Sequence, residues 1–179
     1  MSKSKYLVFA FISIAISACV QAEITTPPVM ITPTVKANAV GIDVYARDRA
    51  LGNPVPRFRG QKTVQIRTFG AGNKGGRTEL SGVQCKADAG VYHAVITTPA
   101  NLVVPDYGPS SPALFVRCID NKRSGSVTVN AYNATNAGRQ SGAAGGGILG
   151  AIIVGAVAAS VRDDNKDDFQ YPNITVSLK

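Results

Sequence analysis

The sequence has no tryptophan, one histidine and three cysteines among 179 residues, and only 17% of its positions are charged. So little charge argues against a disordered chain and against a long charged helix or coiled coil. One histidine and three cysteines leave little material for a metal centre or a nucleophilic relay, and no Cys-x-x-Cys pair is present. Eighteen glycines and ten prolines, many at regular intervals, point away from a helical bundle. The length suits one modest domain.

The N-terminus reads as an export signal. Lys3 and Lys5 precede an uncharged apolar run of 11 residues, Tyr6 to Ile16, too short to span a bilayer of about 30 Å. Two processing readings compete. Val20-Gln21-Ala22 suits a general signal peptidase cutting before Glu23, which makes 1–22 the signal. Ile16-Ser17-Ala18-Cys19 resembles a bacterial lipoprotein box, which makes 1–18 the signal and Cys19 the lipidated first residue. With Cys19 removed or lipidated, Cys85 and Cys118 remain as an even pair. In an oxidising compartment such a pair is most simply a disulfide, though two buried free thiols stay open. The bond would close a loop of 33 residues, worth about 3 to 4 kcal/mol in the chain-entropy model.

The mature chain divides into 23–36, a Pro- and Thr-rich tether or edge strand, and 37–179, the folded domain. In the latter, apolar residues recur with period two. Thr63 to Arg67, Gly82 to Lys86, Val91 to Thr97, Asn101 to Val104, Ala113 to Ile119, Ser126 to Tyr132 and Asn173 to Leu178 all predict short strands. Gly, Pro, Asn and Asp clusters punctuate them. The fold class expected is all-β: a small antiparallel β-sandwich, with the cysteines on two strands as a staple across the sheets. Ser141 to Val161 interrupts the pattern with 21 uncharged residues. Gly147, Ala151, Gly155 and Ala159 recur at every fourth position, the small-xxx-small spacing of close-packed membrane helices. Six glycines between 142 and 155 make it a poor helix in water. The alternatives are an inserted or self-associating segment and a flexible or packed insertion.

Gly82-Val83-Gln84-Cys85, Thr97 to Val104 (TTPANLVV), Ser111 to Cys118 (SPALFVRC) and Tyr171 to Val176 (YPNITV) occur in that order around a glycine-rich stretch. This arrangement resembles a group of short exported bacterial proteins, many of them lipoproteins, with a sandwich similar to PEGA-type surface domains. The resemblance spans residues 62 to 178 and implies an envelope location, the disulfide and a β-sandwich. It implies no catalytic residue. Pro105 to Ser111 and the acidic run Asp163 to Asp168 depart from the group's pattern.

Eight cations, Arg47, Arg49, Arg57, Arg59, Lys62, Arg67, Lys74 and Arg77, lie within 31 residues and are offset there only by Asp48. Removing Lys3 and Lys5 lowers the formal charge from +8 to +6. Such a field attracts anionic lipid or glycan surfaces, against the plainer reading of scattered solvated side chains. Nucleic acid fits poorly, because export separates the two and no stacking aromatics are interleaved. Gly70 to Thr78 fails as a phosphate loop, because Gly76 stands where Lys is required. Asp163, Asn165 and Asp167 have calcium-loop spacing, but Asp168 and Ile174 occupy the positions of the obligatory Gly and Glu. The acidic run is then expected to solvate the exit from the glycine-rich segment. His93 stands alone in a strand. The expectation is a non-enzymatic cell-envelope protein without metal or cofactor. It would have a structural, adhesive or surface-binding role and be membrane-bound through lipid on Cys19. The alternative is a membrane-active module working through 141–161.

Overall fold

A computed structural model describes residues 21–72, 75–138 and 163–179. The first sheet is organised by β3 (Gly60–Ala71). Its first half pairs antiparallel with β7 (Ala100–Asp106) and its end with β4 (Arg77–Leu80). Both take the same edge in succession, since β12 (Ile174–Ser177) lies parallel along the other. Outside β7, β1 (Val29–Met30) adds in parallel. The second sheet is antiparallel throughout, in the order β2 (Thr32–Pro33), β6 (Tyr92–Thr98), β5 (Val83–Asp88), β8 (Leu114–Asp120), β9 (Arg123–Val129). A minor ladder joins β10 (Tyr132–Asn133) to β11 (Phe169–Gln170).

The period-two pattern explains which face each strand buries. In β5, Val83, Cys85 and Ala87 point inward while Gln84 and Lys86 face solvent. In β8, Leu114, Val116 and Cys118 point inward while Phe115, Arg117 and Ile119 face out. The core between the sheets includes Val64, Ile66, Leu102, Val104, Ile174 and Val176 from the first and Tyr92, Ile96, Leu114 and Val116 from the second.

Two of the passages between the sheets take a single residue. Ile31, buried, separates β1 from β2, so the 23–36 segment edges both sheets. Pro99 separates β6 from β7, where the hydroxyls of Thr68 and Thr98 bond across the interior at 2.7 Å. On the opposite side, Ser124 and Lys179 exchange two backbone hydrogen bonds of 3.0 and 3.1 Å, drawing β9 to the end of β12. Gly125 permits that approach. A Cβ there would lie 2.2 Å from the Ser177 carbonyl oxygen.

Two expectations need correction. The Cys85–Cys118 disulfide is present, but it does not cross between sheets. The two residues are direct partners in the β5–β8 ladder, with Cα atoms 4.0 Å apart. After β6 folds back on β5, β7 leaves for the other sheet. The next strand, β8, then takes the free edge of β5. The sandwich is also not wholly antiparallel, because the terminal strands β1 and β12 reach their partners through long connections, the condition for parallel pairing. The period-two reading gave no account of residues 34–58, an excursion containing helix α1 (Ala46–Ala50) and the exposed Val35, Val40 and Leu51.

Candidate functional site

The cations that sequence places in one field are divided by the fold. Arg49 pairs with Asp43 at 2.6 Å and also donates to the Pro56 carbonyl at 2.6 Å. Arg59 donates to the backbone carbonyl of Asp167 at 2.6 Å and lies over the Phe169 ring. Lys62 pairs with Asp168. Arg77 stacks 4.4 Å above the ring of Phe69. Arg67 is buried in an ion pair with Glu79. Of the eight, only Arg47 and Arg57 are exposed with no partner among the described residues. Lys74 lies outside the described residues, as do Cys19, Gly147, Ala151, Gly155 and Ala159.

The acidic run after the glycine-rich segment explains part of this division. Sequence alone assigned it to solvent, but Asp167 is 2% exposed. Its carboxylate accepts from the Asn133 side chain at 2.7 Å and from the Asp163 amide at 3.0 Å. Lys62 pairs with a carboxylate of this returning segment and Arg59 bonds its backbone, so they are cross-links of the fold rather than a free field. Among the described residues no group of three acidic, His or Cys side chains is placed to hold a metal.

Among the described residues, Arg67 and Glu79 form the most enclosed charged pair, with side chains 10% and 11% exposed and their atoms 2.5 Å apart. They stand on the outer face of the first sheet, where alternation along β3 and β4 places residues opposite to the core. The Ala22 amide donates to Glu79 at 2.9 Å, and the Ala22 carbonyl accepts from Arg67 at 2.8 Å. Gln65 accepts from Arg67 Nε at 2.9 Å. Residues 22–28 thus run from this pair to β1 at the sheet's edge. Sequence reading missed Glu79 entirely; its only signal was a carboxylate just beyond a stretch almost devoid of them.

A second polar cluster supports the 34–58 excursion. The Tyr107 hydroxyl accepts from the Val44 amide at 2.8 Å and donates to Asp43 at 3.1 Å. Tyr45 packs edge-on against the Tyr107 ring at 5.1 Å. Burial pushes the Tyr107 phenol well above its ordinary value, with Asp43 adding to the shift against the opposing Val44 bond. Burial does the same to Tyr92 and to Tyr171, whose hydroxyls meet at 3.2 Å. These groups are held neutral and serve packing.

Among the described residues, the outward face of the second sheet is left uncovered. Val95, Phe115 and Ile119 are exposed on it beside Arg117, which has no partner among the described residues. Lys86 pairs with Asp88 at 2.8 Å, and this bond, with one from the Gly90 amide, holds the Asp88 carboxyl below its usual value. His93 also lies on this face, opposite Thr32. Among the described residues no helix is long and apolar enough to cross a membrane. Comparison with known proteins gives no match to a family model, to a curated protein or to a solved structure.

Proposed function

We propose that the chain is a non-enzymatic bacterial cell-envelope protein, exported and attached through lipid on Cys19, with a structural, adhesive or surface-binding role. The observation that carries this reading is the buried Cys85–Cys118 disulfide in a chain that opens on a charged, apolar and then small-residue leader. Disulfides persist in oxidising compartments and are rare where thiols are kept reduced. The order of the strand motifs, similar to exported envelope proteins with a PEGA-like sandwich, supports the same compartment. The partner chemistry proposed is anionic, a lipid headgroup or an envelope glycan. On the 34–58 excursion, Arg47 and Arg57 are exposed cations with no partner among the described residues, and Val40 and Leu51 of the same excursion are exposed too, a combination suited to a charged interface.

Metabolic labelling with a clickable palmitate analogue tests the attachment. The expected result is label on the wild-type protein and none on Cys19→Ser. An unlabelled wild-type protein overturns the lipid attachment and leaves 141–161 as the segment proposed to enter a membrane.

A further inference from the structure

On the outer face of the first sheet, two side chains hold the backbone of a single residue. The N–H and C=O of one residue in an extended chain point to the same side, and a ladder partner satisfies both. For Ala22 that partner is an ion pair. Glu79 accepts the N–H at 2.9 Å and Arg67 donates to the C=O at 2.8 Å. The two charges also meet each other at 2.5 Å, and Gln65 takes a further guanidinium proton. An enclosed ion pair is tolerated where its remaining protons and lone pairs are met. Here the backbone of residue 22 meets them.

We propose that Arg67 and Glu79 clamp the backbone of Ala22, so that lipid on Cys19 holds the sandwich close against the membrane with the outer face of β3 and β4 nearest to it. The proposal rests on the lipoprotein reading, because a chain cut after Ala22 loses the clamped residue, whereas one beginning at Cys19 keeps it. Ala22 lies three positions after Cys19, a reach of at most about 11 Å. Without the clamp, the free tether would run from Cys19 to Val29 and reach about 35 Å. The clamp converts a loose tether into a short one and selects which face meets the membrane.

The sequence supplies a direct test, because Glu23 and Glu79 are its only glutamates. Glu23 is exposed and adjoins the clamped residue. A glutamyl endopeptidase must lift this segment from the sheet to cut after Glu23. The full-length gene is expressed, the lipidated product is purified in detergent micelles, and its intact mass is taken before digestion. The expected result is a species beginning at Cys19 that is cut after Glu23 about tenfold or more slowly than Arg67→Met or Glu79→Ala, since each variant loses charge-assisted bonds to Ala22. Glu79→Gln should fall between them. Hydrogen exchange on the unaltered protein guards against a misfolded variant: the Ala22 amide should exchange at least about tenfold more slowly than an unstructured amide. A lipidated protein with an unprotected Ala22 amide, or with equal cleavage rates in all folded forms, overturns the clamp and leaves the lipoprotein reading standing. A protein beginning at Glu23 overturns both.

Discussion

Tyr107 sits where the excursion of residues 34–58 meets the sandwich, and its hydroxyl bonds two residues of that excursion. It accepts from Val44 and donates to Asp43. Tyr107→Phe leaves a buried amide and a carboxylate short of a partner. It should cost about 1 to 3 kcal/mol, read as a lower urea midpoint at unchanged m-value. An unchanged midpoint would mean that water replaces the hydroxyl. Gly125→Ala should be at least as damaging, about 1 to 3 kcal/mol, because the added Cβ meets backbone rather than a movable side chain. Neither position was legible in the sequence. Tyr107 stood in a stretch read as turn, and Gly125 in a turn cluster, while the partners that give them meaning lie 63 residues away for Val44 and on the last strand for Ser177. The basic residues teach the same lesson. Arg67 and Lys62 carry the same sign in a list of cations, yet one is enclosed by Glu79 and the other is tied to Asp168, 106 residues further on. Charge composition is local information, whereas neutralisation is a property of the folded pairings.

At the level of strands, alternation was informative because each sheet has one buried face. The buried and exposed positions of β5, β6, β8 and β12 follow it directly. Alternation says which way side chains point but not which strand lies beside which. That is why the cysteine pair was expected, while its place between neighbours of one sheet was not. Replacing both cysteines with alanine should cost about 3 to 4 kcal/mol, given the 33-residue separation. The midpoint of chemical unfolding, compared with and without reductant, checks it. A reduced protein as stable as the oxidised one would show that β5 and β8 need no covalent link. The edge strands β1 and β2, two residues each, were legible only as a Pro-rich segment able to border a sheet.

For the molecule as a whole, the buried tyrosines set an alkaline limit. Tyr92, Tyr107 and Tyr171 have phenols raised by burial, so they stay protonated in the fold and ionise near their ordinary value once unfolded. The unfolded state then binds fewer protons above about pH 10, and stability falls there as pH rises. The loss should approach about 1.4 kcal/mol per pH unit for each tyrosine until the protein unfolds. Absorbance of tyrosinate should therefore rise together with the loss of near-ultraviolet dichroism. A smooth titration of all tyrosines in the folded protein would contradict this.

The central claim also belongs to the whole molecule: an exported sandwich held at the envelope by its first residue, with Ala22 still in the chain. The most direct test is the intact mass of the mature protein taken from its native envelope. The expected species begins at Cys19, carries acyl chains and is two mass units lighter than the reduced form, about one unit for each thiol hydrogen lost in the Cys85–Cys118 bond. A lipid-free species beginning at Glu23 would contradict it.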